Sequence, residues 1–224
     1  MASNAEKLLR TAAGELGTRE NPANSNNVRY NTWYYGHAVS GSGYPWCMVF
    51  VQWCFERIGC PLPYLTASCG ALLNWYRNND PDCIVAEPRP GDIVIFDFPG
   101  GAATDHAGIL ESAGASMLTT IDGNTGSDSA ANGGAVLRRT RERKYAAAFI
   151  RPRSLWEQEA LSRYNRIDEL PDWARDTVRK LCDRGLLGGT GGASDRDGRP
   201  ANLDLSLDMA RLLVINDRAG VYGA

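Results

Sequence analysis

The chain has 224 residues, 43% of them hydrophobic and 22% charged, with a formal net charge of -2 and a sequence pI near 5.7. That is enough apolar material for one domain of about 150 residues plus a small appendage. It gives no electrostatic reason to expect a nucleic-acid partner, which normally shows as a basic excess or stripe.

No apolar run is long enough to span a bilayer, so no membrane partner is expected, and the opening "MASNAEKLLRTAAGELG" lacks the apolar core and cleavage pattern of a secretory signal. Synthesis in the cytoplasm without a signal peptide is the expectation, although a chain whose leader had been removed would read the same way. The six cysteines are Cys47, Cys54, Cys60, Cys69, Cys83 and Cys182. They contain no CxxC, and in a cytoplasmic chain of this length they are expected to be mostly reduced thiols.

In chain order, Glu6 to Leu16 has apolar residues at helical spacing and stops at Gly17. The polar stretch "TRENPANSNNVRYNTWYYGHAVSGSGY" reads as a long surface loop. Pro45 suits a first helical position, and Trp46, Val49, Phe50 and Trp53 then repeat at i, i+3, i+4 and i+7. Met48, Val51 and Phe55 fill the other sides of this helix, which must be buried on most of its surface and ends at Gly59. A shorter helix is expected over Ala67 to Tyr76.

Period-2, β-rich segments follow: Asp92 to Phe98, His106 to Ser112, Ser116 to Gly123, Ala135 to Thr140 and Ala147 to Pro152. Helices first and antiparallel strands afterwards make an α+β domain that ends near Pro152. The basic run "RRTRERK", Arg138 to Lys144, reads as a solvated strand and turn. A linker or helix is expected over 153–165. Beyond it, Asp172 to Gly185 and Ser206 to Gly220 read as a two-helix unit near the lower size limit for independent folding.

Two histidines, His37 and His106, limit the chemistry. A catalytic zinc site needs three protein ligands and an open position; no HExxH and no Cys/His cluster is present, so no metal and no cofactor is expected. Cysteine catalysis needs only a thiol, a base within reach and a group that fixes the imidazole tautomer. Cys47, His106 and either Asp122 or Asn124 would suffice. Cys47 falls in the first turn of its helix, where free N–H groups and the positive dipole end favour thiolate and could hold an oxyanion. His106 opens a strand, which would set its ring at the sheet edge. The hairpin at Ser112 to Ser116 would return "TIDGNTG" beside it.

Taken singly, each residue has a plain reading: a buried cysteine is usually a small hydrophobe, a strand histidine a packing residue, and "DGN" a turn. Cys54, seven residues after Cys47 and mid-helix, keeps that plain reading. His37 reads as a surface or groove residue.

The order of helix, long loop, "YPWCMVFVQWCF", "PRPGDIVIFDF", "DHAGILES" and "TIDGNTG" resembles the CHAP domain, the cysteine- and histidine-dependent amidohydrolase/peptidase family of the papain-like group, over about residues 1–152. The resemblance implies a papain-like α+β fold and hydrolysis of an amide bond in peptidoglycan. Cys47 would be nucleophile, His106 general base and acid, Asp122 the orienting carboxylate and Asn124 a supporting polar group. The reading is an endolysin acting as an N-acetylmuramoyl-L-alanine amidase or as a peptidoglycan endopeptidase; an opening without a signal pattern fits a phage lysin freed to the cell wall by a holin-type release better than an exported host autolysin, of which a mature fragment is the alternative.

Trp33, Tyr34, Tyr35, Tyr44 and Trp46 are the expected walls of the substrate groove, with a core position as the alternative for Trp46. Trp46 departs from the glutamine that many relatives carry before the nucleophile. "NPANSNNVRYNTWYYG" lacks the Asp-rich calcium loop of some phage members. The tail is similar to a single S-layer-homology-type unit, a family that usually works in threes, which implies either binding to a secondary cell-wall polymer or a stabilising or dimerising appendage; Asp195, Asp197, Gly198 and Asp204 within it match a calcium loop only weakly. Two other classes fit the same residues: a wall-binding or adhesin protein with an inactive papain-like domain, and a cytoplasmic cysteine peptidase or amidase acting on small peptides.

Overall fold

The computed structural model describes residues 2–99, 104–126, 133–156, 163–190, 194, 197–200 and 202–223, divided between two compact units, Ala2–Leu155 and Trp156–Ala224. Part of the expected 153–165 linker, part of the approach to His106, and Asp195 of the weak calcium-loop match lie outside the described residues.

In the first unit, α1 (Asn4–Gly14) starts ahead of the expected Glu6 because Ser3 and Glu6 form a reciprocal capping box. Ser3 Oγ accepts from the Glu6 amide at 3.1 Å, and Glu6 Oε2 accepts from the Ser3 amide at 2.9 Å. α2 (Arg29–Tyr35) occupies the middle of the segment expected to be loop. Burial fixes this short helix: the fully enclosed Tyr30 ring packs on Trp46, Phe50 and Trp53 at centroid distances of 5.4, 5.1 and 5.1 Å. Gly36 then closes it at φ 76°.

α3 (Cys47–Arg57) begins at Cys47 with Trp46 as N-cap, so Pro45 precedes the helix rather than opening it. Every residue from Cys47 to Phe55 is buried. Its Val, Phe and Trp residues are middling helix formers. Enclosing each contributes about 1.5–3 kcal/mol, so packing, more than propensity, holds the helix. α4 (Cys69–Asn79) starts later than the expected Ala67, at the Ser68 N-cap, whose Oγ accepts from the Ala71 amide at 3.2 Å.

Strands β1 (Ile84–Val85), β2 (Ile93–Phe96), β3 (His106–Ala113), β4 (Met117–Thr125), β5 (Ala135–Glu142) and β6 (Ala146–Ile150) form an antiparallel sheet in the order β1-β6-β2-β3-β4-β5. The two-residue β1 is too short to carry a period. α3 packs on β3 and β4, which makes an α+β fold. The approach is close at Gly123 of β4, where a Cβ would come within 2.5 Å of Phe50 and 2.8 Å of Trp46.

The start of β2 is tied to β6 by the fully buried Asp92. Its carboxylate accepts from the Arg89 amide at 2.7 Å and from Arg151 Nε and Nη2 at 3.0 and 2.9 Å. Burial raises the pKa of Asp92, and Arg151 and the Arg89 amide pull it back.

The second unit contains β7 (Arg163–Tyr164), α5 (Asp172–Asp183), β8 (Leu205–Ser206) and α6 (Leu207–Arg218). The two expected helices are there, together with a β7–β8 ribbon too short to be read from sequence, one strand of it ahead of each helix. Ile167, Leu170, Ala174, Val178, Cys182, Leu203, Leu205, Ala210 and Val214 form its core. Ser206 caps α6 by accepting from the Met209 amide at 3.2 Å, and Lys180 Nζ donates to Asp217 at 2.8 Å.

Candidate active site

Cys47 is the first residue of α3, and no side chain caps that end. The first-turn amides therefore have no intrahelical acceptor, and the positive end of the helix dipole lies at the sulfur. A second thiol meets it: Cys69, the first residue of α4, places its Sγ 3.8 Å from Cys47 Sγ. Both are almost enclosed, at 4% and 6% exposure.

The Cys47 pKa lies well below that of an ordinary thiol. The contact with the Cys69 thiol is the main cause; burial opposes it, and the nearby His106 charge and the Ala107 backbone add to the lowering. The same contact, with burial, pushes Cys69 well above the usual value, so Cys69 is the protonated donor of the pair. Cys54 is raised well above by burial alone, and that separates the two cysteines of one helix.

His106 opens β3, an interior strand of the sheet, and is fully buried. The expected position at the sheet edge is corrected here: Phe96 and Phe98, stacked on each other at 5.4 Å, lie 6.2 and 6.4 Å from the imidazole. Its Nε2–H donates to Asp122 Oδ2 at 3.1 Å. Nδ1 is buried and has no hydrogen-bond partner, which leaves it as the ring atom free to serve the Cys47 sulfur, and the charges of Cys47 and His106 shift one another.

Burial alone would depress the His106 pKa. The Cys47 charge, together with the hydrogen bond and charge of Asp122, outweighs it and raises the pKa to about 9. Both shifts run in the direction that favours the thiolate–imidazolium form of the pair.

The strand register explains how Asp122 arrives. β3 and β4 pair Ile109 with Ile121 and Leu110 with Thr120, and continuing that register sets Asp122 opposite Gly108, on the diagonal from His106. A Cβ at Gly108 would collide with Asp122 Oδ1, so the glycine is the gap through which the carboxylate reaches the ring. Asn124 is also fully buried, but it sits at φ 53° and neither of its side-chain polar atoms has a hydrogen-bond partner. The carboxylate, not the amide, meets His106.

Arg141 of β5 was hidden in the basic run expected to be solvated. Its Nη1 lies 2.5 Å from Asp122 Oδ2, Nη2 donates to Thr125 Oγ1 at 3.3 Å, and the guanidinium lies over Phe96 and Phe98 at 5.0 and 5.5 Å. Burial works to raise the Asp122 pKa, while His106 and Arg141 hold it below the usual carboxylate range.

Of the expected groove residues, Trp33, Tyr34, Tyr35 and Tyr44 are half-buried. They are linked in sequence, Trp33 to Tyr34 at 6.4 Å, Tyr34 to Tyr35 at 4.8 Å and Tyr35 to Tyr44 at 5.2 Å. Trp46 is corrected to a core residue: it is fully buried, stacks on Tyr30, and donates its Nε1–H to Glu20 at 2.8 Å. His37 is exposed.

Two site residues escaped the sequence. Cys69 follows a Ser N-cap in "SCG", which marks a helix start but not what lies opposite it. Arg141 has only its strand parity to distinguish it from its neighbours.

Residues 39–124 match the family model of the CHAP domain, a span that contains Cys47, His106, Asp122 and Asn124. No curated protein sequence matches the chain. Among solved structures, the crystal structure of a wild-type endolysin, LysIME-EF1, is similar with a TM-score of 0.44 at 15% identity, over 70% of this chain and 68% of that one.

Proposed function

We propose that this protein hydrolyses an amide bond of bacterial peptidoglycan, with Cys47 as nucleophile, His106 as general base and acid, and Asp122 as orienting carboxylate. The observation that carries the reading is the buried His106–Asp122 pair, Nε2 to Oδ2 at 3.1 Å, with Cys47 at the start of α3 near enough for its charge and that of His106 to shift one another. The CHAP match over residues 39–124 supports a peptidoglycan hydrolase as the class.

In this mechanism the Cys47 thiolate attacks the amide carbonyl carbon, and the carbonyl oxygen takes the negative charge beside the first-turn amides of α3. The His106 imidazolium gives its Nδ1 proton to the leaving amine as the C–N bond breaks. Neutral His106 then takes a proton from water, whose oxygen attacks the thioester carbonyl; the C–S bond breaks and the thiolate–imidazolium pair is restored. Asp122 keeps Nε2 protonated throughout, so that Nδ1 faces the reaction. Trp33, Tyr34, Tyr35 and Tyr44 offer ring faces to sugar or peptide beside it.

The scissile bond is either the muramoyl–alanine amide or a bond within the peptides. Digestion of purified peptidoglycan followed by mass spectrometry separates the two: free stem peptides with N-terminal alanine mean amidase, and cut stems still attached to muramic acid mean endopeptidase. Wall clearing by Cys47→Ala as fast as by the unaltered protein would overturn the assignment. The second unit is assigned to retention on a wall polymer, on its S-layer-homology-like pattern. Full-length Cys47→Ala should then bind walls that keep their secondary polymer and lose binding to walls stripped of it.

A further inference from the structure

The 3.8 Å separation of Cys47 and Cys69 goes beyond what hydrolysis requires, since a thiol, a base and an orienting group suffice. Cys69 reaches Cys47 from a different helix, 22 residues on, and each is the first residue of its helix. At that position no preceding turn limits the side-chain rotamer. A covalent S–S bond is about 2.0 Å long, so closure asks the two side chains to approach by roughly 1.8 Å.

Resting on the reading of Cys47 as nucleophile, we propose that Cys69 is a resolving thiol: a peroxide oxidises Cys47, and Cys69 captures the product as a reversible Cys47–Cys69 disulfide that holds the enzyme inactive until a dithiol reduces it.

The electrons and atoms balance with hydrogen peroxide as oxidant. The Cys47 thiolate attacks one peroxide oxygen; the S–O bond forms, the O–O bond breaks, and the departing hydroxide takes the His106 proton and leaves as water. Cys69 sulfur then attacks the Cys47 sulfenic sulfur. The S–S bond forms, the S–O bond breaks, and the hydroxyl group leaves with the Cys69 proton as a second water. Two electrons have passed from the sulfur pair to the peroxide.

Selectivity follows from the surroundings. Cys47 has thiolate character, whereas Cys54, Cys60 and Cys83 are raised chiefly by burial. Any opening that admits a peptide to Cys47 admits peroxide, a smaller molecule. Without Cys69 the sulfenic acid would go on to sulfinic and sulfonic acids, which a dithiol does not reverse.

The test uses the full chain, reduced, exposed to hydrogen peroxide, blocked with iodoacetamide and digested without reductant. The expected result is a peptide pair joined through Cys47 and Cys69, with wall clearing lowered more than about tenfold and largely restored by dithiothreitol. Cys69→Ala and Cys69→Ser, each scored against its own untreated activity, should lose activity to peroxide and fail to recover it; two variants guard against one that does not fold. Absence of the joined peptide, or recovery of both variants to the extent of the unaltered chain, overturns the proposal. The joined peptide is read by mass alone, so it stands or falls separately from the clearing assay with Cys47→Ala that tests the hydrolytic role.

Discussion

Asp122 Oδ2 is shared: His106 Nε2 lies 3.1 Å from it and Arg141 Nη1 2.5 Å from it. One oxygen thus meets the imidazole and anchors the one buried residue of the basic run. Arg141 and Asp122 are both enclosed, and removing one member of such a pair strands the other in a low-dielectric setting. Arg141→Met is expected to destabilise the first unit by about 3–5 kcal/mol, read as a lower urea midpoint at unchanged slope. A midpoint equal to that of the unaltered chain would deny the ion pair any structural weight.

Asp122→Asn keeps the shape and changes the tautomer. An amide can turn its N–H toward Nε2, which leaves the proton on Nδ1 and the ring unable to accept one from water. Turnover should fall roughly 10³–10⁴-fold while the fold is retained. Activity assays paired with circular dichroism check both halves.

The pH profile follows from the coupled pair. Activity should rise as pH climbs through the depressed Cys47 pKa, because the thiolate is the attacking form, and should fall as His106 loses its proton near about 9, because the leaving amine then has no acid. Asp122 is one of the groups that raise His106, so the falling limb of Asp122→Asn should move to lower pH. The measurement is kcat/KM against pH on soluble wall fragments.

Gly108→Ala tests the gap that admits the carboxylate. The added methyl collides with Asp122 Oδ1, and overpacking of this kind costs about 1–3 kcal/mol. Activity should fall further than stability does, because the group displaced is the one that orients His106. Thermal melting alongside the clearing assay distinguishes that from simple unfolding.

Much of the fold is legible because its signals are local. The apolar residues of α3 repeat at helical spacing, the strands alternate, and the β3–β4 hairpin brings Asp122 toward His106 by register alone. What escaped is tertiary. α2 is too short to show a period within "VRYNTWYYG", and only the packing of Tyr30 makes it a helix. His106 looked like an edge residue because the rings beside it, Phe96 and Phe98, come from a segment that its own does not announce. Trp46 looked like a groove residue until Tyr30 and Glu20 claimed both its face and its N–H. The meeting of Cys69 with Cys47 has no trace in either segment.

His106, Asp122 and Arg141 lie on three neighbouring strands, and hydrogen-bond ladders fix their spacing. Cys47 comes instead from α3, and no ladder joins it to that set. The distance from sulfur to base is therefore governed by how deeply the helix seats on the sheet, and the bare backbone of Gly123 against Phe50 and Trp46 is where that depth is set. A residue with no reactive atom acts as the gauge of the reaction coordinate.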